Sequence, residues 1–186
     1  MSCNAVLMKM YGIKDPDIET ERSIKKKALK YGMDTTNIVT ANAKDFPVLM
    51  KGQAIPDGAV FNSKGEYIEY RATDTSCNAG LFEFIPGLNL MGSYNLTGKT
   101  TLEAELAKCR TFNGSAVPLP VADFYVLIYW TVWSGKLNKD HVKVWEDLAK
   151  NNKNCSVRVI KVNLDVQENW EEAERDKIAA GMGIRN

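Results

Sequence analysis

The chain contains little histidine and few cysteines, and the cysteines are far apart. His141 is the only histidine, and the four cysteines are Cys3, Cys77, Cys109 and Cys155. Their spacings match no zinc-ligand pattern, so we expect neither a transition-metal site nor another cofactor. A chain of 186 residues also needs no disulfides for stability.

Long hydrophobic runs and an excess of one charge are also absent. The longest apolar run covers residues 124–130, well short of the ~18–20 residues that cross a bilayer, so no transmembrane segment is expected. The chain has 24 Lys+Arg and 23 Asp+Glu, a net charge of +1. This balance gives no reason to expect nucleic acid or an anionic membrane as a partner.

The first residues, Met-Ser-Cys-Asn, leave the cellular location open. A small residue before a cysteine is the arrangement at which lipoproteins are lipidated, which makes Cys3 a candidate lipid anchor. The apolar segment that should precede such a cysteine is not present. Two alternatives therefore stand: a cytoplasmic protein, or one anchored at the cell envelope through Cys3.

Hydrophobic periodicity predicts strands that alternate with helices, which is typical of an α/β layer fold. Residues 87–100 are rich in Gly, Asn, Ser and Thr and predict a loop, and residues 113–120 predict an internal boundary. The predicted strands are 37–41, 58–61, 66–71, 123–130 and 157–162, and the predicted helices are 18–31, 44–51, 81–85, 102–110, 136–150 and 169–180.

Residues 126–137 read Val-Leu-Ile-Tyr-Trp-Thr-Val-Trp-Ser-Gly-Lys-Leu. This segment resembles the active-site strand and turn of the thioredoxin family, in which W-A-x-W-C-G-P-C leads into a helix. Trp130, Trp133 and Gly135 fall at matching positions. Residues 159–165, Val-Ile-Lys-Val-Asn-Leu-Asp, are similar to the apolar strand of that family, which closes in N-x-D.

The other half of the resemblance lies upstream. Residues 54–66, which include Ile55 and Pro56, resemble the G-I-P-T strand and hairpin of the family. The resemblance implies a thioredoxin-like three-layer α/β/α fold with a mixed central sheet, in an order that is permuted or split. It also implies a cis Ile55–Pro56 bond that faces Ser134.

Two domain organisations fit this order. In the first, residues 1–16 form an N-terminal arm and residues 17–186 form one domain with a permuted chain order. Its parts are a proline-loop and hairpin half (17–90), a linker (91–120) and an active-site-strand half (121–186). In the second, the chain is a degenerate tandem, and each half is an incomplete copy of the thioredoxin-like domain. We favour one domain, because the second half alone would leave a sheet edge open.

The resemblance fails at the positions that carry the chemistry. The first cysteine of the family motif is a nucleophile whose thiolate is favoured at a helix N-terminus. Ser134 stands at that position, Leu137 replaces the second cysteine, and Ile128 replaces the buried acid of the family. Dithiol exchange at this motif is therefore not expected.

Three functions remain open. The first is non-catalytic binding of a polypeptide, or another partner, in the former active-site groove next to Ile55 and Pro56. The second is a monothiol oxidoreductase or peroxidase-like enzyme that uses Cys77, and the third is a structural surface lipoprotein. The residues assigned to the former active-site motif are Trp130, Trp133, Ser134, Gly135 and Leu137.

The enzyme alternative depends on where Cys77 lies. In the resembled fold, the loop of residues 72–80 returns to the active-site end of the sheet. Cys77 would then lie within about 8 Å of the Ser134 hydroxyl or the Pro56 ring, on the scale of disulfide separations. An incidental loop cysteine is the other interpretation of Cys77.

Other clusters predict structure rather than chemistry. Ser134, His141 and either Asp140 or Asp165 could suggest a hydrolase triad. His141, however, is seven residues beyond Ser134, about 10 Å along a regular helix. We therefore expect His141 to be a partly buried helix residue. The four tryptophans are expected to be packing residues, with Trp133 partly exposed because it lies at a strand-to-helix turn. Glu171, Glu172, Glu174 and Asp176 are expected to form a solvated helix start.

Overall fold

A mixed sheet of seven strands is the centre of the part of the chain that the computed structural model describes, which is residues 8–51, 54–73 and 78–184. A separate pair of short strands lies beside it. The strands are β1 (Ile18–Glu19), β2 (Ile38–Ala41), β3 (Asp57–Asn62), β4 (Glu66–Ile68), β5 (Leu96–Thr101), β6 (Cys109–Arg110), β7 (Phe124–Trp130), β8 (Val157–Asn163) and β9 (Val166–Gln167).

The order across the large sheet is β5-β4-β3-β7-β8-β2-β6, and β1 pairs with β9. Strands β7, β8 and β2 are parallel, whereas β3 runs antiparallel to β7. Strand β7 is buried along its whole length, as expected for a central strand covered on both faces. Strands β7 and β8 of the second half thus lie side by side between β3 and β2 of the first half.

Helices cover both faces of this sheet. They are α1 (Glu21–Lys30), α2 (Phe46–Met50), α3 (Leu81–Gly87), α4 (Leu102–Ala107), α5 (Val144–Asn151) and α6 (Glu172–Gly181). Along β7, Tyr125, Leu127 and Tyr129 face a core with α2, α4 and α6. The alternate residues, which include Ile128 and Trp130, face a core with α1, α3 and α5. This arrangement is compatible with a three-layer α/β/α fold.

None of the helices in the described residues is long and apolar enough to cross a lipid bilayer.

The prediction of a loop over residues 87–100 was wrong at its end. Residues 96–101 form β5, an exposed edge strand that pairs with β4 across an irregular register. The run Leu-Thr-Gly-Lys-Thr-Thr contains β-branched threonines, which favour an extended backbone. Because the strand is exposed, it lacks the hydrophobic alternation by which a half-buried strand is recognised.

The predicted helices also begin and end differently. Residues 138–143 form a π-helical segment, and α5 begins only at Val144. The predicted first helix begins at Glu21, since Ile18 and Glu19 pair with β9 instead. The helix predicted over 102–110 ends at Ala107 and is followed by β6.

Candidate functional site

One end of the sheet gathers the segments that the sequence singled out. Trp130, the last residue of β7, lies opposite Asn163, the last residue of β8. Asp57, the first residue of β3, lies opposite Tyr129, so Pro56 is at the same end. In α/β sheets the carboxyl ends of parallel strands are the usual place for a binding site.

Residues 131–138, which we call the 131–138 turn, connect β7 to the π-helical segment. Val132–Ser134 form one 3₁₀ turn, and Gly135 then has φ +61° and ψ −131°, a conformation open to glycine but costly for other residues. Ser134 is only 1% exposed. Its hydroxyl oxygen lies 2.5 Å from that of Thr131, so the hydroxyl at the nucleophile position is hydrogen bonded to a neutral partner that cannot act as a general base.

A buried carboxyl group lies beneath the turn. The Val132 N–H and the Asn163 side-chain amide both donate to Asp165 Oδ2, each at 2.7 Å. Burial raises the pKa of Asp165 to about 7, against the hydrogen bonds from Val132 and Asn163. Its other oxygen, Oδ1, has no hydrogen-bond partner among the described residues. Asp165 therefore holds the start of the turn without a cation beside it in the described chain.

Two buried amides extend this polar cluster. Asn138 donates from Nδ2 to the Thr131 carbonyl oxygen at 2.8 Å, while its Oδ1 has no partner in the described chain. Gln167 Nε2 donates to Asn163 Oδ1 at 3.0 Å and to the Asp165 carbonyl oxygen at 2.7 Å. Sequence reasoning missed Asn138 and Gln167, because neither forms part of a recognisable motif. The π-helical winding at Asn138 is a feature that often accompanies functional sites.

The described part of the N-terminal arm, residues 8–16, crosses over the turn. The Lys14 N–H donates to the Trp133 carbonyl oxygen at 3.0 Å, and the Lys136 N–H donates to the Tyr11 carbonyl oxygen at 2.7 Å. Both are main-chain bonds, one on each side of Gly135. The turn therefore pairs through its backbone with a segment of the same chain.

Gly135 makes this close approach possible. A Cβ atom at this position would lie 2.5 Å from the Gly12 carbonyl oxygen and closer still to that of Tyr11. No side chain fits at that distance without moving the arm. The glycine of the resembled motif thus has two physical functions here: it permits the positive φ and it admits the arm.

The Ile55–Pro56 bond is cis, as predicted, and that it faces Ser134 stays a prediction. The Pro56 carbonyl oxygen accepts a hydrogen bond from the Asn78 side chain. The next residue, Asp57, forms an ion pair with Arg71 at 2.5 Å. Burial raises the pKa of Asp57, although Arg71 opposes that shift. The Pro56 carbonyl oxygen therefore already accepts one hydrogen bond from the same chain.

The tryptophans in and beside this region differ in burial. Trp130 and Trp145 are fully buried in the core of the face that carries α5, as packing residues. Trp133 is half-buried, in agreement with its predicted partial exposure, and Leu137 is also half-buried. A tryptophan with one accessible face suits recognition of a polypeptide.

The described thiols are unsuited to nucleophilic chemistry at this site. Cys109 is buried, and burial raises its pKa to about 12. Cys155 precedes β8, at the end of the sheet opposite to the turn, and burial raises its pKa as well. Cys3 and Cys77 lie outside the described residues, so the predictions for both remain predictions.

The hydrolase triad is not assembled. Ser134 is bonded to Thr131, whereas the His141 ring packs at 5.5 Å from Phe82 and 5.4 Å from Trp145. The expectation that His141 is a partly buried helix residue is confirmed. Glu171, Glu172 and Glu174 at the start of α6 are exposed, as predicted, whereas Asp176 is half-buried.

Within the described ranges, no three His, Cys, Asp or Glu side chains are grouped so that they could hold a metal ion. Comparison of the chain with protein-family models, with curated proteins and with solved structures gave no match.

Proposed function

We propose that the chain is a thioredoxin-like protein without dithiol chemistry, and that it binds an extended polypeptide segment at the 131–138 turn. One observation carries this proposal: the turn already pairs through Trp133 O and Lys136 N–H with residues 11–14. Main-chain hydrogen bonds to a bound peptide are a recurrent mode of recognition, with affinity from the backbone bonds and specificity from adjacent side-chain contacts.

The chemistry of the turn supports a binding function over catalysis. Ser134 and Leu137 occupy the positions of the two thiols in the resembled motif. The Ser134 hydroxyl is buried and bonded to Thr131. A serine becomes a nucleophile only with a neighbouring base. The half-buried Trp133 supplies an apolar contact next to the two main-chain groups.

The test of this proposal starts from the full chain and a phage-displayed library of short linear peptides. A selected peptide is synthesised and titrated into isotope-labelled protein. We expect amide chemical-shift changes centred on Trp133, Gly135 and Lys136. Trp133→Ala should abolish binding, whereas Trp170→Ala, which removes a half-buried tryptophan that packs against Phe46, should leave it intact. Equal losses in both variants, or shifts confined to other surfaces, would refute the proposal.

A redox assay tests the chemical half of the proposal. The purified protein should not accelerate insulin reduction by dithiothreitol above the reagent background, since neither Ser134 nor Leu137 carries a thiol. Clear turnover would mean that the resemblance places the motif wrongly.

A monothiol enzyme that uses Cys77 is the second candidate, and one observation favours it. Asn78, the residue after Cys77, donates to the Pro56 carbonyl oxygen, so the chain at residue 78 lies at the proline end of the sheet. Selective alkylation of the native protein at neutral pH, mapped by mass spectrometry against Cys77→Ser, tests this candidate. Rapid modification at Cys77 alone would favour the enzyme, and equal slow labelling of Cys77 and Cys155 would count against it.

A further inference from the structure

The arm buries the turn while burying little of itself. Every residue from 8 to 17 is half-buried or exposed, and Met8 and Met10 expose 44% and 55% of their surface. Ser134 and Gly135 beneath the arm are nevertheless buried. Segments with few buried contacts open locally at a small fraction of the global free energy of unfolding.

The hydrogen bonds that attach the arm to the turn are made by its backbone. They use the Lys14 N–H and the Tyr11 carbonyl oxygen, which the arm presents from a helical turn over residues 8–11 that ends at Gly12, with φ +63°. The close fit comes from the missing side chain at Gly135. A foreign peptide could therefore make the same bonds only where the arm lies now.

We propose that residues 8–16 are a displaceable strap: an intramolecular ligand that closes the 131–138 turn and that an extended polypeptide partner must displace. This inference rests on the proposed function. The apparent affinity for the partner is then the intrinsic affinity reduced by the fraction of molecules in which the strap is open. Weakening the strap must tighten binding of the partner.

A single substitution tests the strap in the full chain. Lys14→Pro removes the N–H that donates to Trp133 O, whereas the matched control Lys14→Ala keeps this N–H and removes only an exposed side chain. The first readout is hydrogen exchange of the Lys136 amide, which the Tyr11 carbonyl oxygen protects. We expect about tenfold faster exchange in Lys14→Pro than in the wild type, as for a local opening made easier, and no change in Lys14→Ala.

The second readout is binding of a synthetic peptide with the sequence of residues 8–17. It should bind Lys14→Pro about tenfold more tightly than the wild type or Lys14→Ala, because the competing strap is open more often. A third readout needs no variant: a phage-selected peptide should speed tryptic cleavage of the wild-type chain after Lys14.

The outcomes separate the two proposals. If the Lys136 amide exchanges as slowly as the core amide of Ile128, and no peptide speeds cleavage after Lys14, the arm is a fixed part of the fold and the strap is refuted. Peptide binding at Trp133 without release of the arm would also refute the strap, while the proposed function would stand. Fast exchange at Lys136, with no peptide bound by the wild type or by either Lys14 variant, would refute the proposed function. It would also refute the proposal that a polypeptide partner displaces the strap.

Discussion

Two buried acids lie in this protein within reach of β8, and their surroundings differ. Glu146 on α5 is about 1% exposed and lies 2.5 Å from the ammonium of Lys161 in the middle of β8. It also accepts the Asp34 N–H at 3.0 Å. Asp165, just beyond the end of β8, is equally buried, but no salt bridge to it occurs in the described residues and one of its oxygens has no partner there.

This difference indicates that Glu146 is a structural polar group, whereas Asp165 lies under a candidate site. The Glu146–Lys161 pair is neutral as a unit and its bonds satisfy it, so it fixes α5 against the sheet. Burial lowers the pKa of Lys161, although its hydrogen bond to Glu146 opposes that shift. Asp165 has no such compensation, and its pKa is raised to about 7. Uncompensated buried groups with shifted pKa values concentrate at functional sites.

The largest effect should come from breaking the paired acid. Lys161→Met leaves a buried carboxylate without its closest cation and should lower the free energy of unfolding by about 3 kcal/mol or more, as is typical when one partner of a buried pair is removed. Urea denaturation at neutral pH measures it.

Removing the remaining buried charge should restore most of the lost free energy of unfolding. In Lys161→Met/Glu146→Gln the amide can still accept the Asp34 N–H without a buried charge. If Lys161→Met lowers the free energy of unfolding by less than about 1 kcal/mol, as for an exposed pair, then the ion pair does not set Glu146 apart from Asp165.

The second effect has the opposite sign. The folded-state pKa of Asp165, about 7, lies above its ordinary value of 3.8, so the folded protein binds the proton more tightly than the unfolded chain. The contribution of Asp165 to stability is therefore fully present below about pH 4 and is lost as pH rises towards about 7, by at most about 1.4 kcal/mol per pH unit. Asp165→Asn cannot ionise and should be more stable than the wild type at pH 8 by about 2 to 4 kcal/mol.

Urea denaturation of both proteins from pH 4 to 8 checks this prediction. Asp34→Asn is the matched control, since hydrogen bonds from Thr36 and Lys150 lower the pKa of Asp34. Its contribution to stability is present above the ordinary pKa of 3.8 and is lost only as pH falls below that value, so the difference between Asp34→Asn and the wild type should stay nearly constant from pH 4 to 8. A stability difference between Asp165→Asn and the wild type that does not change with pH would place Asp165 with the satisfied acids.

The sequence predicted the sheet better than it predicted this difference. The apolar run of β7 and the hairpin of β3 and β4 follow from local patterns, and the cis Ile55–Pro56 bond was expected from the resemblance to the thioredoxin family. Strand β5 was missed because an exposed edge strand lacks hydrophobic alternation.

The surroundings of the two acids could not be predicted in the same way. Lys161 is a charged residue within an apolar strand, and its partner Glu146 is 15 residues away on a helix. Asp165 is buried beneath the start of a turn that the arm covers, more than a hundred residues from that arm in the chain. Such burial depends on packing between segments far apart in the chain, which local hydrophobic periodicity does not predict.

A smaller effect should come from the Ser134 hydroxyl. Ser134→Ala removes one buried hydrogen bond and leaves the Thr131 hydroxyl to find another partner, at a cost of about 1 kcal/mol. Ser156→Ala, which removes an exposed hydroxyl bonded to Asp123 at 2.7 Å, is the control and should cost less. Peptide binding should survive Ser134→Ala, and its loss would assign Ser134 a role beyond the structure of the turn.

The smallest effect concerns the outer cation of the paired acid. Lys150 is half exposed and lies 3.0 Å from Asp34 and 3.6 Å from Glu146. Solvent and salt screen such a pair, so Lys150→Ala should lower the free energy of unfolding by no more than about 0.5 kcal/mol. Urea denaturation at low and high ionic strength measures the loss, which should vanish at high salt. A loss comparable to that of Lys161→Met would show that both lysines stabilise the buried charge of Glu146. The comparison would then be between a buried acid with two cations beside it and Asp165, a buried acid with none in the described chain.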